Sequence, residues 1–308
     1  MLPQLTGDRL FITDGGLETT LIFHEGLELP DFAAFDLLKD PGGVEALRRY
    51  YAPYVAIARE EGLGVVLDTP TWRANADWGP ELGYDRAGLV RVNRDAVAFA
   101  QELRASAGGA PAPIVVDGVI GPRGDGYVAG DLMTADAAAA YHALQAEAFA
   151  TAGADMLTAV TMTYAEEAIG IARAAAAAGL PCAISFTVET DGRLPSGQEL
   201  GAAIAAVDAA TDGGPAYYMV NCAHPSHFEH VLGELGDLAG RIGGLRVNAS
   251  SKSHAELDEA TELDEGDPAA LRGEHAALLA QLPAVTVLGG CCGTDARHVA
   301  AASAAWAR

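Results

Sequence analysis

Three cysteines stand where short apolar runs end. Cys291 and Cys292 are adjacent in VLGGCCGTDA (287–296), bracketed by Gly289, Gly290 and Gly293, and Cys222 closes AYYMVNC (216–222). Three converging thiolates suit Zn²⁺, a borderline-soft ion that takes tetrahedral sulfur and nitrogen donors and keeps one position open when catalytic. Flanking glycines let the backbone turn tightly enough for both members of a Cys–Cys pair to serve. A thiol taken into the open position loses its proton near neutral pH and can attack an electrophilic carbon, which is thiol alkylation. A buried cysteine pair and a redox pair are the other uses of the same residues. Cys182 begins its run instead of ending it and reads as a small buried hydrophobe.

The cluster AHPSHFEH (223–230) holds His224, His227 and His230. SHFE (226–229) has the S-x-x-E form of a capping box, which puts His227 and His230 on a helix. Only His224, two residues past Cys222, is placed to reach the cysteines, as a neighbour or as a ligand. His142 and Gln145 fall inside an expected helix and read as structural.

Positioning three thiols from distant segments requires a frame, and the chain has a regular one. Apolar runs at 9–14, 64–69, 112–119, 154–161, 181–188, 216–222, 242–250 and 284–290 each precede an amphipathic or Ala-rich segment: 43–62, 87–107, 134–153, 165–179, 197–211, 226–236, 267–282 and 294–307. The runs are continuous rather than alternating, as in strands covered on both faces. Eight strand–helix units in 308 residues are the arithmetic of a single (β/α)8 TIM barrel occupying 1–308, with an acidic insertion near 251–267. A doubly wound open sheet is the competitor. In a barrel the segments just past the strands gather on one rim, where Cys222 ends the sixth strand and Cys291 and Cys292 the eighth.

Half the residues are hydrophobic, ample for a large core, and the formal net charge is −23. A polyanion offers phosphates no counter-charge, so nucleic acid is not an expected partner. The stretch ELDEATELDEGD (256–267) reads as a solvated acidic surface. The first residues lack a basic region leading into an apolar one, and no run suits a membrane span. A cytoplasmic protein with reduced thiols is expected, and a homo-oligomer is compatible with the sequence.

DGGLETTL (14–21), GPRG (121–124), VNC (220–222), NAS (248–250) and GGCCGT (289–294) together resemble the homocysteine S-methyltransferase family, from Asp14 to the last helix. The resemblance implies Zn²⁺ on Cys222, Cys291 and Cys292. It implies that Asp14, Gly15 and Gly16 form a loop seating an amino-acid acceptor, with backbone N–H groups for its carboxylate, and that Asn221 lies beside the metal. Thr69 and Thr71 fall where the family has a polar rim. Members using homocysteine commonly carry a Glu after the fourth strand for the acceptor's ammonium. Here the stretch is AVTMT (159–163), with Val160 at that position and only Thr161 and Thr163 polar; Glu166 and Glu167 fall on the following helix. The first loop also differs, with Glu18 at a usually small position and Thr20 at an often acidic one. Glu18 is the candidate for the missing charge.

A barrel that takes up the chain leaves no folate or cobalamin module, so a small diffusible onium compound is the expected donor: S-methylmethionine, S-adenosylmethionine or a betaine. Trp72, Trp78 and Tyr127 are candidates to hold its cation on aromatic faces. The implied activity is zinc-dependent methyl transfer to homocysteine, giving methionine. Transfer to another thiol and a non-catalytic zinc- or redox-responsive protein are the alternatives.

Overall fold

The computed structural model describes residues 2–7, 9–107 and 113–306. Ala112 and Ala307, at the edges of two expected elements, lie outside them.

The eight apolar runs form eight parallel strands: β1 Phe11–Ile12, β2 Gly64–Asp68, β3 Ile114–Ile120, β4 Met156–Met162, β5 Cys182–Phe186, β6 Tyr217–Asn221, β7 Ile242–Val247 and β8 Val287–Gly290. They pair in sequence order, and β8 closes on β1 through Phe11 with Val287 and Ile12 with Leu288. The molecule is therefore the closed (β/α)8 barrel, not the open sheet.

Helices cover the outside, and their ends follow local chemistry. Asp40 caps Pro41–Glu61 by accepting from Gly43 N, and Gly62 ends that helix with φ +70°, a conformation glycine adopts without steric cost. Ala135–Ala152 and Ala165–Ala178 pack side by side, their Ala-rich faces allowing close approach. The sixth crossover departs from expectation. Its α-helix is only Pro225–Phe228, and 3-10 turns Glu229–Glu234 and Gly236–Arg241 replace the rest. Gly233, Gly236 and Gly240 punctuate that stretch and weaken helix propagation. The expected capping box is also displaced: His224 is the N-cap, its Nδ1 accepting from Ser226 N, because Pro225 takes the first helical position.

The interior is layered. Phe11, Val66, Val115, Met156, Ala183, Tyr217, Met219 and Val287 form an apolar plug, while the larger apolar cluster lies between strands and helices. Two residues further along the strands, Asp68, Asp117, Thr158, Ser185 and Arg246 make a buried polar layer. The cavity at the C-terminal rim opens above that layer.

Candidate metal centre

β7 sets the position of all three cysteines. Cys222 N donates to Arg246 O (3.1 Å), and Cys291 N donates to Val247 O (2.9 Å), so successive carbonyls of one strand hold the ends of its two neighbours. Ala249 N donates to Cys292 O (3.1 Å). Cys222 has φ +56°, a left-handed conformation that costs a non-glycine residue about 1 kcal/mol or more. Gly293 turns the chain at φ +77° just after the pair.

The result is a triangle of sulfurs. Cys222 Sγ lies 2.9 Å from Cys291 Sγ and 3.5 Å from Cys292 Sγ. Zinc–sulfur bonds of about 2.3 Å in a tetrahedron separate sulfurs by about 3.8 Å, so small movements suffice to admit the ion. Tyr127 Oη is 3.4 Å from Cys222 Sγ and 3.3 Å from Cys292 Sγ. Hydrogen bonds from Cys222, Cys291 and Tyr127 draw the Cys292 thiol well below its ordinary pKa, whereas bonding to its two partners and burial push Cys222 well above. A soft, partly anionic sulfur cluster is the donor set zinc prefers. Among the described residues this is the one group of three His, Cys or acidic side chains suited to a metal. Cys182 is buried at the start of β5, outside the group.

A cavity of about 290 Å³ lies over the triangle. Asp14, Gly15, Gly16, Glu18, Thr69, Trp72, Asn221 and Tyr127 all line it. The first loop docks directly on the cysteine pair: a Cβ on Gly16 would stand 2.6 Å from Cys291 O. Gly16 N–H donates to Thr294 O (2.9 Å), so it is spent on the fold and is not available to a carboxylate. Glu18 projects into the cavity, where burial, aided by Cys291 and Asp14, pushes its carboxyl up to about 7. Val160 lines the same wall, 8% exposed, at an irregularity in the β4–β5 register.

Other expected residues point elsewhere. Thr71 stands behind the wall, donating to Val119 O (2.7 Å) and bonded to Thr69. His224 faces away: burial, with His227 and His275 nearby, lowers it to about 4. It is therefore neutral at pH 7, and its approach to Glu274 (Nε2 to Oε2, 3.3 Å) is not a charge pair. His227 Nε2 bonds Ser251 O and His230 Nε2 bonds Asp191 O. His142 meets Glu167 (2.9 Å) and Gln145 bonds Thr71 O, both inside the wall. Thr163 is buried, and Glu166 begins the helix after β4.

The aromatic residues do not form an open cage. The Arg73 guanidinium lies over the rings of both Trp72 and Trp78, 4.0 Å from each centroid. Tyr127 packs its ring against His254 at 4.4 Å. The protein's own cation thus occupies the faces expected to hold an onium group.

Several site residues went unnoticed in the sequence. Arg246 bonds Asp14 (2.5 Å) and also Asp68, binding β7 to β1 and β2 beneath the cavity. Burial raises Asp14, Asp68 and Asp117 alike; Arg246 offsets this for the two it touches, while Asp117, facing Asp68, is driven well up. His254 Nε2 donates to Cys222 O (2.6 Å). The acidic segment is part of the roof: Leu257, Ala260, Leu263 and Asp264 line the cavity, and Asp264 accepts from Ser250 (2.8 Å). An acidic pattern broken by regularly placed apolar residues was the available signal.

Fold and site together define a (β/α)8 barrel enzyme with a thiol-rich rim centre. A sequence model of the Homocysteine S-methyltransferase family matches residues 11–306, and the chain belongs to that family; it is a methyltransferase. Among solved structures it is similar to the homocysteine methyltransferase MmuM from Escherichia coli. The metallated form is 21% identical, with 96% of each chain covered and a TM-score of 0.77. For the oxidized form the identity is 21%, the coverage 98% of this chain and 99% of that one, and the TM-score 0.78. Among curated proteins none matches significantly. No described helix is long and apolar enough to cross a membrane.

Proposed function

We propose that this chain is a zinc-dependent thiol methyltransferase that takes a methyl group from a small onium donor and passes it to homocysteine, forming methionine. The observation that carries the reading is the triangle of Cys222, Cys291 and Cys292 at the base of a rim cavity. Those three sulfurs would hold the zinc, whose contribution is to keep a neighbouring substrate thiol deprotonated at neutral pH.

The chain's residues do the rest by placement. Gly15 and Gly16 form the floor beside the cysteines, and Asn221 and Thr69 the walls. Glu18, like Asp125 and Glu262, lines the cavity without an Arg or Lys ion-pair partner among the described residues, and it is the one whose carboxyl feels Cys291, so it receives the acceptor's ammonium in place of the acid missing at Val160. The acceptor sulfur forms a bond to the methyl carbon as the carbon–onium bond breaks, and the electron pair leaves with the neutral donor product. No protein nucleophile is required; alignment of the two reactants within the cavity lowers the barrier.

The test is zinc stoichiometry on reduced protein, paired with Cys292→Ala, followed by transfer of a labelled methyl group from S-methylmethionine, S-adenosylmethionine or glycine betaine to homocysteine. Near one zinc per wild-type chain, little in the variant, and label in methionine are expected. An active, zinc-loaded Cys292→Ala protein would refute the assignment. A reversible Cys222–Cys291 disulfide without methyl transfer would favour the redox-responsive alternative.

A further inference from the structure

Arg73 is a buried cation without an anion. It is 6% exposed, it lines the cavity over the cysteines, and no carboxylate lies within ion-pair distance among the described residues. Its Nη1 donates to Gly124 O (2.9 Å), while its Nε is buried with no acceptor. Burying a guanidinium is costly unless its charge and its N–H groups are matched. The two indole faces at 4.0 Å stabilise the cation and fix its plane, but they offer no in-plane acceptor. Asp125 and Glu18 are the nearest acids by influence, and neither pairs with it.

We propose that Arg73 is the carboxylate-binding residue of this cavity, pre-oriented by Trp72 and Trp78 to receive the anionic end of a small zwitterionic substrate. Two further observations support this. Gly16 N–H of the first loop is already bonded to Thr294 O, so that loop has lost one of its donors for a carboxylate. Glu18 lines the same cavity, giving it one group of each sign for an ammonium and a carboxylate. The carboxylate can belong to the thiol acceptor or to the methyl donor; both sources share the chemistry, and the experiment separates them. The inference rests on the proposed function only in taking those two molecules as the ligands.

The experiment is calorimetric binding to zinc-loaded protein, using matched ligands with and without a carboxylate. Homocysteine is compared with 3-aminopropanethiol, and glycine betaine with tetramethylammonium. The wild type should favour the acid of one pair by about 10- to 100-fold, the worth of a charge-assisted hydrogen bond. The pair that shows the preference identifies the source. In Arg73→Gln that preference should collapse towards unity, and Arg73→Lys should restore part of it. A purely structural Arg73 would weaken both members of a pair alike and leave their ratio unchanged, which would overturn the proposal. Equal binding of acid and decarboxylated ligand by the wild type would overturn it whether or not the variants fold. Carboxylate preference in binding without any methyl transfer would uphold Arg73 and refute the function; methyl transfer with no preference would do the reverse. Failure of every ligand to bind would reject both.

Discussion

Asn221 and Thr161 are tied to each other twice. Asn221 Oδ1 accepts from Thr161 N (2.9 Å), and Asn221 Nδ2 donates to Thr161 Oγ1 (3.0 Å). Thr161 has φ +63°, which a β-branched residue rarely adopts. Asn221 therefore holds a strained residue at the end of β4 while its chain neighbour Cys222, also left-handed, presents a sulfur. Ser185 adds a third bond to the same amide oxygen (2.6 Å). Replacing Asn221 by Ala should leave the buried Thr161 N–H unpaired and cost about 1–3 kcal/mol. Urea unfolding would measure this, and zinc affinity should fall as Cys222 loses its support.

Removal of Arg246 should be more severe. In Arg246→Met, Asp14 and Asp68 lose their cation while remaining buried, and about 3–5 kcal/mol of stability should disappear at neutral pH. The sign of the pH dependence follows. Carboxyls whose folded pKa is raised bind more protons folded than unfolded, so stability falls as pH rises above their unfolded value near 4. The deficit relative to wild type should shrink as the pH is lowered from 7 towards 5. A deficit independent of pH would argue against the charge explanation.

Glu18 predicts a pH effect on the acceptor. Its carboxyl ionises at about 7 because of burial, so the anionic form proposed to receive the ammonium gains population as pH rises through that value. The acceptor KM should fall over this range in the wild type. Glu18→Gln should raise that KM about 10- to 100-fold, the worth of one charged hydrogen bond, change kcat much less, and flatten the difference between pH 6 and 8. Steady-state kinetics at several pH values check this.

Asp295 caps the last helix, Ala296–Ser303. Burial alone would raise its pKa, but bonds from the Arg297 side chain, His298 and the Arg297 backbone bring it down to about 2. A depressed carboxyl contributes stability above its unfolded pKa and loses it as pH falls through the folded value. Asp295→Ala should therefore lower Tm at pH 7, by an amount equivalent to about 0.5–2 kcal/mol. The gap should narrow progressively between pH 4 and 2, which thermal melts would detect.

The frame of the molecule was readable because each strand is a short apolar run and each helix carries its own stop signals. The three cysteines were readable because they follow strand ends, which a barrel gathers. What escaped was determined across the barrel. Asp68 and Arg246 sit within or at the ends of apolar runs, and only the closure of the barrel shows that Arg246 pairs with both Asp68 and Asp14. Trp72 and Trp78 suggested an aromatic trap for a ligand, whereas their neighbour Arg73 already fills it. His224 was near Cys222 in sequence, but the turn at Pro225 sends it outward.

The sulfur triangle draws on widely separated parts of the chain: Cys222 and Cys291 are 69 residues apart, and the strand joining β8 to the beginning of the barrel is made first. During synthesis Cys222 emerges long before its partners. A nascent chain that has made only β1 to β7 has one of the three sulfurs and an unclosed cylinder. The metal proposed for these sulfurs would therefore be acquired late, with the docking of β8 between β7 and β1. Any lesion that delays that docking should leave three reactive thiols unprotected at the same moment.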